Sequence, residues 1–439
     1  MIGFIKNKEI KNAGWIIGER IVQMLISFLI GILSARYLGP DNYGSLNYTA
    51  SFITFFTSVA TLGMDGVIIK KMIEHPDKEG NLIGGSIILR FLSSTICSAL
   101  VIGVVVVLNP GDNEKILLIS LQSIQLLFQT INILDSWFQR YFKSKYISIA
   151  KIVAAIVVMG YKLYLLSTAR SVGWFAFSNS LTSIIIAVLL VFFYKKSNAP
   201  KLVWDFKAGL LLLKDSYHYI FSGLMAAIYS QMDKIMIGKI LTDTSVGLYT
   251  TAASICSMWI FVPMALINSF RPTILSLRQS GQIDMYNRKL RQLYSSIIWM
   301  CIGVSLLICV MAPIIIAILY GESYKGAINT LQIMIWSEVF SMIGMARGIW
   351  ILAEEKNKYV KYYLAIGVGI NLVLNLVMIP IWGIEGAAIA TLITQITTSI
   401  ITPMLFKATR EHTKIVWEAF CFKWYFKDKY DKWCSKKVK

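Results

Sequence analysis

RYLGPDNYGSLNYTAS, residues Arg36 to Ser51, returns at an offset of 203 positions as KILTDTSVGLYTTAAS, residues Lys239 to Ser254. Leu38 and Leu241, Gly44 and Gly247, Ala50 and Ala253, and Ser51 and Ser254 are identical, while Asn47/Thr250, Thr54/Ser257 and Asp65/Asn268 keep polar character. Each copy joins two long apolar segments. Apolar runs of about 20 residues are long enough to cross a bilayer as helices. About twelve occur, near 12–34, 46–69, 82–108, 116–139, 146–166, 173–194, 216–237, 247–270, 293–319, 328–352, 359–380 and 384–406. The repeat divides them into two six-helix bundles, 1–201 and 202–406, followed by a basic, aromatic tail, 407–439.

The charges orient this array. Of 43 Lys and Arg residues, 32 lie in the N-terminus, the even-numbered connections and the tail, and only Arg36, Lys115, Arg170, Lys239 and Lys325 lie in the odd-numbered connections. Cytoplasmic loops retain positive charge, so both termini are expected in the cytoplasm. Both repeat copies then share one orientation, with a pseudo-two-fold axis along the membrane normal, a design associated with alternating access. The tail, with Trp417, Phe420, Phe422, Trp424, Tyr425, Phe426, Tyr430 and Trp433 among lysines, suits a helix on the inner leaflet.

The chain is 56% hydrophobic and 15% charged, with a mean hydropathy of +0.62, whereas soluble chains carry about a quarter charged residues. The net charge of +19 is mostly topological, facing anionic head groups, and no soluble domain offers a basic face to nucleic acid. Six cysteines without CxxC spacing and three scattered histidines give no zinc pattern. There is no phosphate loop, no GxSxG elbow and no HExxH. Neither a cofactor, a metal nor an enzymatic activity is expected.

Polar residues fall in stripes. In the second span Asn47, Ser51, Thr54, Ser58, Thr61 and Asp65 share one helix face. The first span repeats the design with Arg20, Gln23, Ser27, Gly31 and Ser34, the fourth with Gln122, Gln125, Gln129, Asn132 and Ser136, and the twelfth with Glu385, Thr391, Gln395, Thr398 and Thr402. Such faces turn to protein or water. They serve either a hydrated cavity or ordinary interhelical hydrogen bonds. Charges at bilayer depth cost on the order of 3 kcal/mol and tend to be functional. Arg20, Asp65, Arg90, Asp135, Asp233, Lys234, Arg271, Glu338 and Arg347 are the candidates, whereas Lys151 and Lys162 read as snorkelling residues. Arginine suits a diphosphate because its planar fork donates two parallel hydrogen bonds.

Three stretches, SARYLGPDNYGSLNYTAS (Ser34 to Ser51), LYGESYKGA (Leu319 to Ala327) and IPIWGIEGAAIATLITQ (Ile379 to Gln395), together resemble the polysaccharide-export flippases of the O-antigen or capsule type. The resemblance implies an all-α membrane protein of the multidrug/oligosaccharidyl-lipid/polysaccharide exporter superfamily, with two six-helix bundles forming a V. It implies a cationic cavity, alternating access and coupling to a proton or sodium ion. The implied activity is movement of an undecaprenyl-diphosphate-linked oligosaccharide to the outer face of a bacterial inner membrane. Membrane lipids and other polysaccharide-assembly proteins would be its partners. Expected substrate contacts are Arg20, Gln23, Ser51, Thr54, Ser58, Asp65, Arg90, Gln125, Gln129, Asn132, Lys234, Arg271 and Arg347. Expected ion sites are Asp65, Asp135, Asp233 and Glu338. A multidrug exporter of the same superfamily and a membrane glycan polymerase are the alternatives; the Arg-plus-amide stripes disfavour the first and short outer connections the second.

Overall fold

The computed structural model describes residues 2–421; the stretch 422–439, with most of the aromatic tail, lies outside them. Every regular element among the described residues is helical. Among the described residues, nine helical segments are long and apolar enough to cross a membrane, against about twelve expected. The difference has a physical cause. The first two expected spans lie in one segment, Gly14–Glu74, and the last two in another, Asn357–Leu405. The turns between them are bends rather than loops, at Gly39 (φ 71°, ψ 169°) ahead of Pro40 and at Gly383 (φ 61°, ψ −137°) after Pro380. The expected seventh span lies inside the helix Phe206–Ile240, where Lys214, Asp215, Asp233 and Lys234 lower the apolar character.

The chain forms two compact units, residues 1–247 and 248–439. In the first, α1 (Ile2–Ala60), α2 (Met64–Glu74), α3 (Glu79–Leu108), α4 (Asn113–Gln129), α5 (Leu134–Arg140), α6 (Ser144–Ser167), α7 (Val172–Lys196) and α8 (Phe206–Ile240) follow in order. The long α1 packs against α3, α4, α6 and α8, and α7 lies against α4 and α6. Helix α8 approaches α3 closely because both are bare at the crossing. A Cβ on Gly85 would lie 2.2 Å from the Asp205 carbonyl oxygen, and one on Gly209 2.5 Å from that of Gly85. Asp205 caps α8 by accepting the Ala208 N–H at 3.1 Å, and Asn81 donates to its other oxygen.

The two repeat corners also meet inside this unit. A Cβ on Gly44 would strike the Asp243 carbonyl oxygen at 1.7 Å, and one on Gly247 would strike that of Pro40 at 2.0 Å. Asp243 and Gly247 are the repeat equivalents of Pro40 and Gly44, so the two contacts are reciprocal. Thr244 Oγ1 donates to Asp41, its own repeat equivalent, at 3.0 Å, and Ser45 donates to the Asp243 carboxylate at 2.9 Å. Lys115 completes the corner with ion pairs to Asp243 at 2.8 Å and Asp112 at 3.2 Å.

The second unit is built from the rest of α9 (Asp243–Met258), α10 (Phe261–Gln279), α11 (Ile283–Leu319), α12 (Ala327–Ala353), α13 (Val360–Ile396), α14 (Thr402–Leu405) and α15 (Arg410–Phe420). Its core runs from Tyr286, Leu290 and Tyr294 of α11 through Met342, Ala346 and Trp350 of α12 to Ile415, Val416 and Ala419 of α15. Helix α15 is amphipathic. It buries His412, Ile415, Val416 and Ala419, leaves Trp417 exposed, and is tied to α11 by the Arg291–Glu418 ion pair at 2.7 Å.

Candidate functional site

An open cavity of about 360 Å³ lies within the first unit. One wall is the polar stripe of α1: Gln23, Ser27, Gly31 and Ser34 line it at helical spacing, and Tyr43 and Asn47 follow beyond the bend. Ala155, Val158, Met159 and Lys162 come from one face of α6, and Phe175, Asn179 and Thr182 from one face of α7. Some of these groups are committed locally. Asn47 donates to the Tyr43 carbonyl at 2.7 Å and Thr182 to that of Ser178 at 3.0 Å. Ser34 Oγ is buried without a partner. Lys162 has no carboxylate within ion-pairing distance among the described residues. The lining therefore combines one ammonium, amides and hydroxyls on an apolar frame, with no acid.

Of the expected substrate contacts, the cavity gathers Gln23 alone. Arg20 is exposed one turn before Gln23 and does not line it. Ser51, Thr54 and Ser58 give their hydroxyls to carbonyls of their own helix, at 2.8, 3.0 and 2.7 Å, a local bond that competes with reaching a ligand. Gln125 and Gln129 bond each other at 3.5 Å, and Asn132 sits half-buried in the turn Thr130–Ile133. Arg90, 1% exposed, donates to Asp65 at 2.8 Å, while Asp65 is 60% exposed. Lys151 pairs with Asp135 at 3.4 Å, which leaves one buried oxygen of Asp135 without a partner. Lys234 is half-buried next to the buried Asp233, and Arg271 is exposed. Glu338 has a buried, unpartnered oxygen. Arg347 is buried in the second unit, donating to the Thr398 carbonyl and lying 4.3 Å from the Tyr363 ring centroid.

The cavity residues that the sequence reading passed over are Lys162, Asn179 and Thr182. Lys162 read as a snorkelling residue; the structure turns it onto the cavity. The signal that would have found it is a three-helix one. Ala155–Met159–Lys162 and Phe175–Asn179–Thr182 are i, i+4, i+7 faces with small or polar members, and they complete the face that begins at Gln23.

A family model described as "Polysaccharide biosynthesis protein" matches residues 10–277. The chain belongs to this family. The matched region holds the whole cavity. Curated relatives include the "Probable flippase AglR" of Haloferax volcanii, 23% identical over 88% of this chain and 80% of its own length. The "Amylovoran biosynthesis protein AmsL" of Erwinia amylovora is 22% identical over 48% of this chain and 54% of its own. Among solved structures, the chain resembles "Lipid II flippase MurJ, inward closed conformation" with a TM-score of 0.72 and 15% identity, over 93% of this chain and 92% of that one. It resembles a multidrug resistance MATE family transporter of the MOP superfamily with a TM-score of 0.70 and 13% identity, over 90% and 95%. The family member described here is thus a multi-pass membrane protein with the fold of MOP-superfamily transporters, of flippase type.

Proposed function

We propose that this chain moves an undecaprenyl-diphosphate-linked oligosaccharide, of O-antigen or capsule type, from the cytoplasmic to the outer face of a bacterial inner membrane. The observation that carries the reading is the polar cavity of about 360 Å³ between helices long and apolar enough to span a membrane. A sugar head group loses its hydration in hydrocarbon, and a cavity of amides and hydroxyls replaces those hydrogen bonds while the prenyl chain stays in lipid. Two six-helix halves, 1–201 and 202–406, alternate the opening, and both termini stay cytoplasmic. A head carrying about two negative charges gains roughly 4.6 kcal/mol on leaving a cell held at about 100 mV, inside negative, so the membrane potential favours export.

Asp135 and Glu338, each with an unpartnered buried carboxylate oxygen, are the places for a coupled proton or sodium ion; Asp65 is held by Arg90. Cationic drug cargo is disfavoured because no carboxylate lines the cavity and an ammonium does. Reconstitution into liposomes with a fluorescent undecaprenyl-diphosphate sugar tests the reading. Wild-type protein is expected to make inner-leaflet label accessible to an impermeant quencher within minutes. Label that stays put, or glycan that lengthens without changing leaflet, overturns it.

A further inference from the structure

We infer that the turn joining α7 to α8 holds an anionic phospholipid, its phosphate on Lys195 and Lys201 and its first acyl methylenes on Leu134, Val191 and Leu202. The inference goes beyond the transport reading and does not depend on it. An open cavity of about 350 Å³ lies at this turn, and it shares no residue with the one between α1, α6 and α7. Its walls follow from the local sequence. Helix α7 ends at Lys196, and Asn198 takes a left-handed conformation (φ 51°) that turns the chain back. The Tyr194 hydroxyl donates to the Pro200 carbonyl at 2.8 Å and fixes the hook. Residues 199–205 then run without helix over a bare edge of α3. The Val203 N–H donates to the Gly80 carbonyl at 3.1 Å, and a Cβ on Gly80 would lie 2.1 Å from the Lys201 carbonyl oxygen. The backbone carrying Lys201 is thus held in place before a ligand arrives, which lowers the cost of ordering the site.

Three observations identify the occupant. First, the charge is one-sided. Both lysines are exposed, their ammonium groups have no ion pair or hydrogen bond among the described residues, and no carboxylate lines the cavity. Glu79, which Trp137 links to Tyr194 of the cavity, is already matched by Arg140. Second, the remaining wall is hydrocarbon: Leu134, Val191 and Leu202 beside the Tyr194 ring. A small anion would satisfy the lysines and leave that wall in contact with water, whereas an amphiphile covers both. Third, the depth is that of lipid head groups. Lys195 lies in the last turn of a helix long and apolar enough to span a membrane, and Trp204, 64% exposed, stands just past the cavity; tryptophan collects at that level. This connection is one of those expected to face the cytoplasm, the side whose leaflet is rich in anionic lipid and where basic pockets between spans hold anionic head groups.

The test uses the full chain in detergent micelles, titrated with dioleoyl phosphatidylglycerol or dioleoyl phosphatidylcholine and read by native mass spectrometry. Wild type is expected to bind phosphatidylglycerol in preference to phosphatidylcholine. The pair Lys195→Gln and Lys201→Gln is expected to weaken phosphatidylglycerol about thirtyfold, about fivefold for each lysine beside an anionic lipid, with phosphatidylcholine unchanged. The pair Lys196→Gln and Lys207→Gln removes the same charge from positions outside the cavity and is expected to stay within about twofold of wild type. Equal losses from both pairs would reduce the site to a general basic surface and overturn it. Hydrogen exchange locates the lipid: amides of residues 201–205 are expected to slow when phosphatidylglycerol is added to wild type but not to the Lys195/Lys201 pair. Exchange that phosphatidylglycerol leaves unchanged in wild type overturns the placement. Glycerol phosphate that binds as tightly as the lipid overturns the acyl contact. Undecaprenyl diphosphate that displaces phosphatidylglycerol from Lys195 and Lys201 at lower concentration gives the site to the cargo and overturns the phospholipid assignment.

Discussion

Lys162 and Arg347 are both cations set into apolar helices, one in each unit, and the protein treats them oppositely. Arg347 is consumed. Its guanidinium donates to the Thr398 carbonyl, in a stretch (Thr397–Ile401) that is wound as a π-helix and so frees backbone groups, and it stacks on Tyr363. Lys162 meets only uncharged polar groups across open space. The same residue class is structural where backbone and ring close on it, and available where amides and hydroxyls stand back. A second pair of clusters, one in each unit, shows a related inversion. In the first unit an acid at the start of α3, Glu79, accepts Tyr141 at 2.8 Å and Trp137 at 3.2 Å from α5 and pairs with Arg140. In the second the tyrosine starts α11 and the acid follows α12: Tyr286 donates to Glu354 at 2.9 Å, with Arg278 beside it. The two clamps share an acid, a tyrosine donor and an arginine, with the chain order of acid and tyrosine exchanged.

The contrast breaks most visibly at Arg347. Arg347→Gln is expected to destabilise the protein by about 3 kcal/mol, because a buried carbonyl and ring lose their partner, with a clear fall in melting temperature in detergent. Arg347→Lys rescues little, since lysine cannot both stack and fork. A melting temperature within a degree of wild type would place Arg347 on the functional side of the comparison. Lys162→Gln is expected to invert the pattern. Leaflet exchange falls about tenfold, while stability holds or rises, because an unmatched ammonium leaves the span. A smaller effect follows for Asn179→Ala, a loss of a few-fold in exchange from one uncharged hydrogen bond of about 1 kcal/mol, with no change in melting. If Asn179→Ala costs as much as Lys162→Gln, the charge is not what the cavity recognises.

How much of this was legible from the sequence follows from which interactions are local. The α1 stripe was, because Gln23, Ser27, Gly31 and Ser34 repeat every three to four residues, and all four line the cavity. The corner motifs were legible as well, and the structure shows what they encode. Gly39, Gly44, Gly247, Gly321 and Gly383 sit at bends, turns or close backbone contacts, so these stretches report backbone geometry rather than cargo. Lys162 and Asn179 were not legible, because Lys162 stands alone on an apolar helix and Asn179 sits in a run of small polar residues (Ser178 to Ser183) without one marked face, and periodicity says nothing of what lies opposite. The partnership of Arg90 with Asp65 was hidden for the same reason: the two are 25 residues apart on different helices, and only packing tells a neutralised charge from one still waiting.

The smallest expected effect concerns how the second unit holds its last helix. His412 on α15 is wholly buried, with Nε2 2.8 Å from the Tyr294 hydroxyl and its ring 5.4 Å from that of Trp350. Burial, and then the positive charge of Arg347, hold its pKa well below the usual 6.5. The folded state therefore keeps His412 neutral, whereas the released helix titrates normally. Its contribution is full above about pH 6.5, where both states are neutral, and is lost progressively as pH falls below that value, because the released form gains a proton the docked form refuses. Hydrogen exchange of the α15 amides is expected to quicken between pH 7 and pH 5 beyond the intrinsic trend, and His412→Gln is expected to flatten that dependence. A profile identical in wild type and variant would mean that another group governs the docking. Arg347 would then matter to α15 only through packing, and the contrast with Lys162 would narrow to the Thr398 carbonyl and the Tyr363 ring.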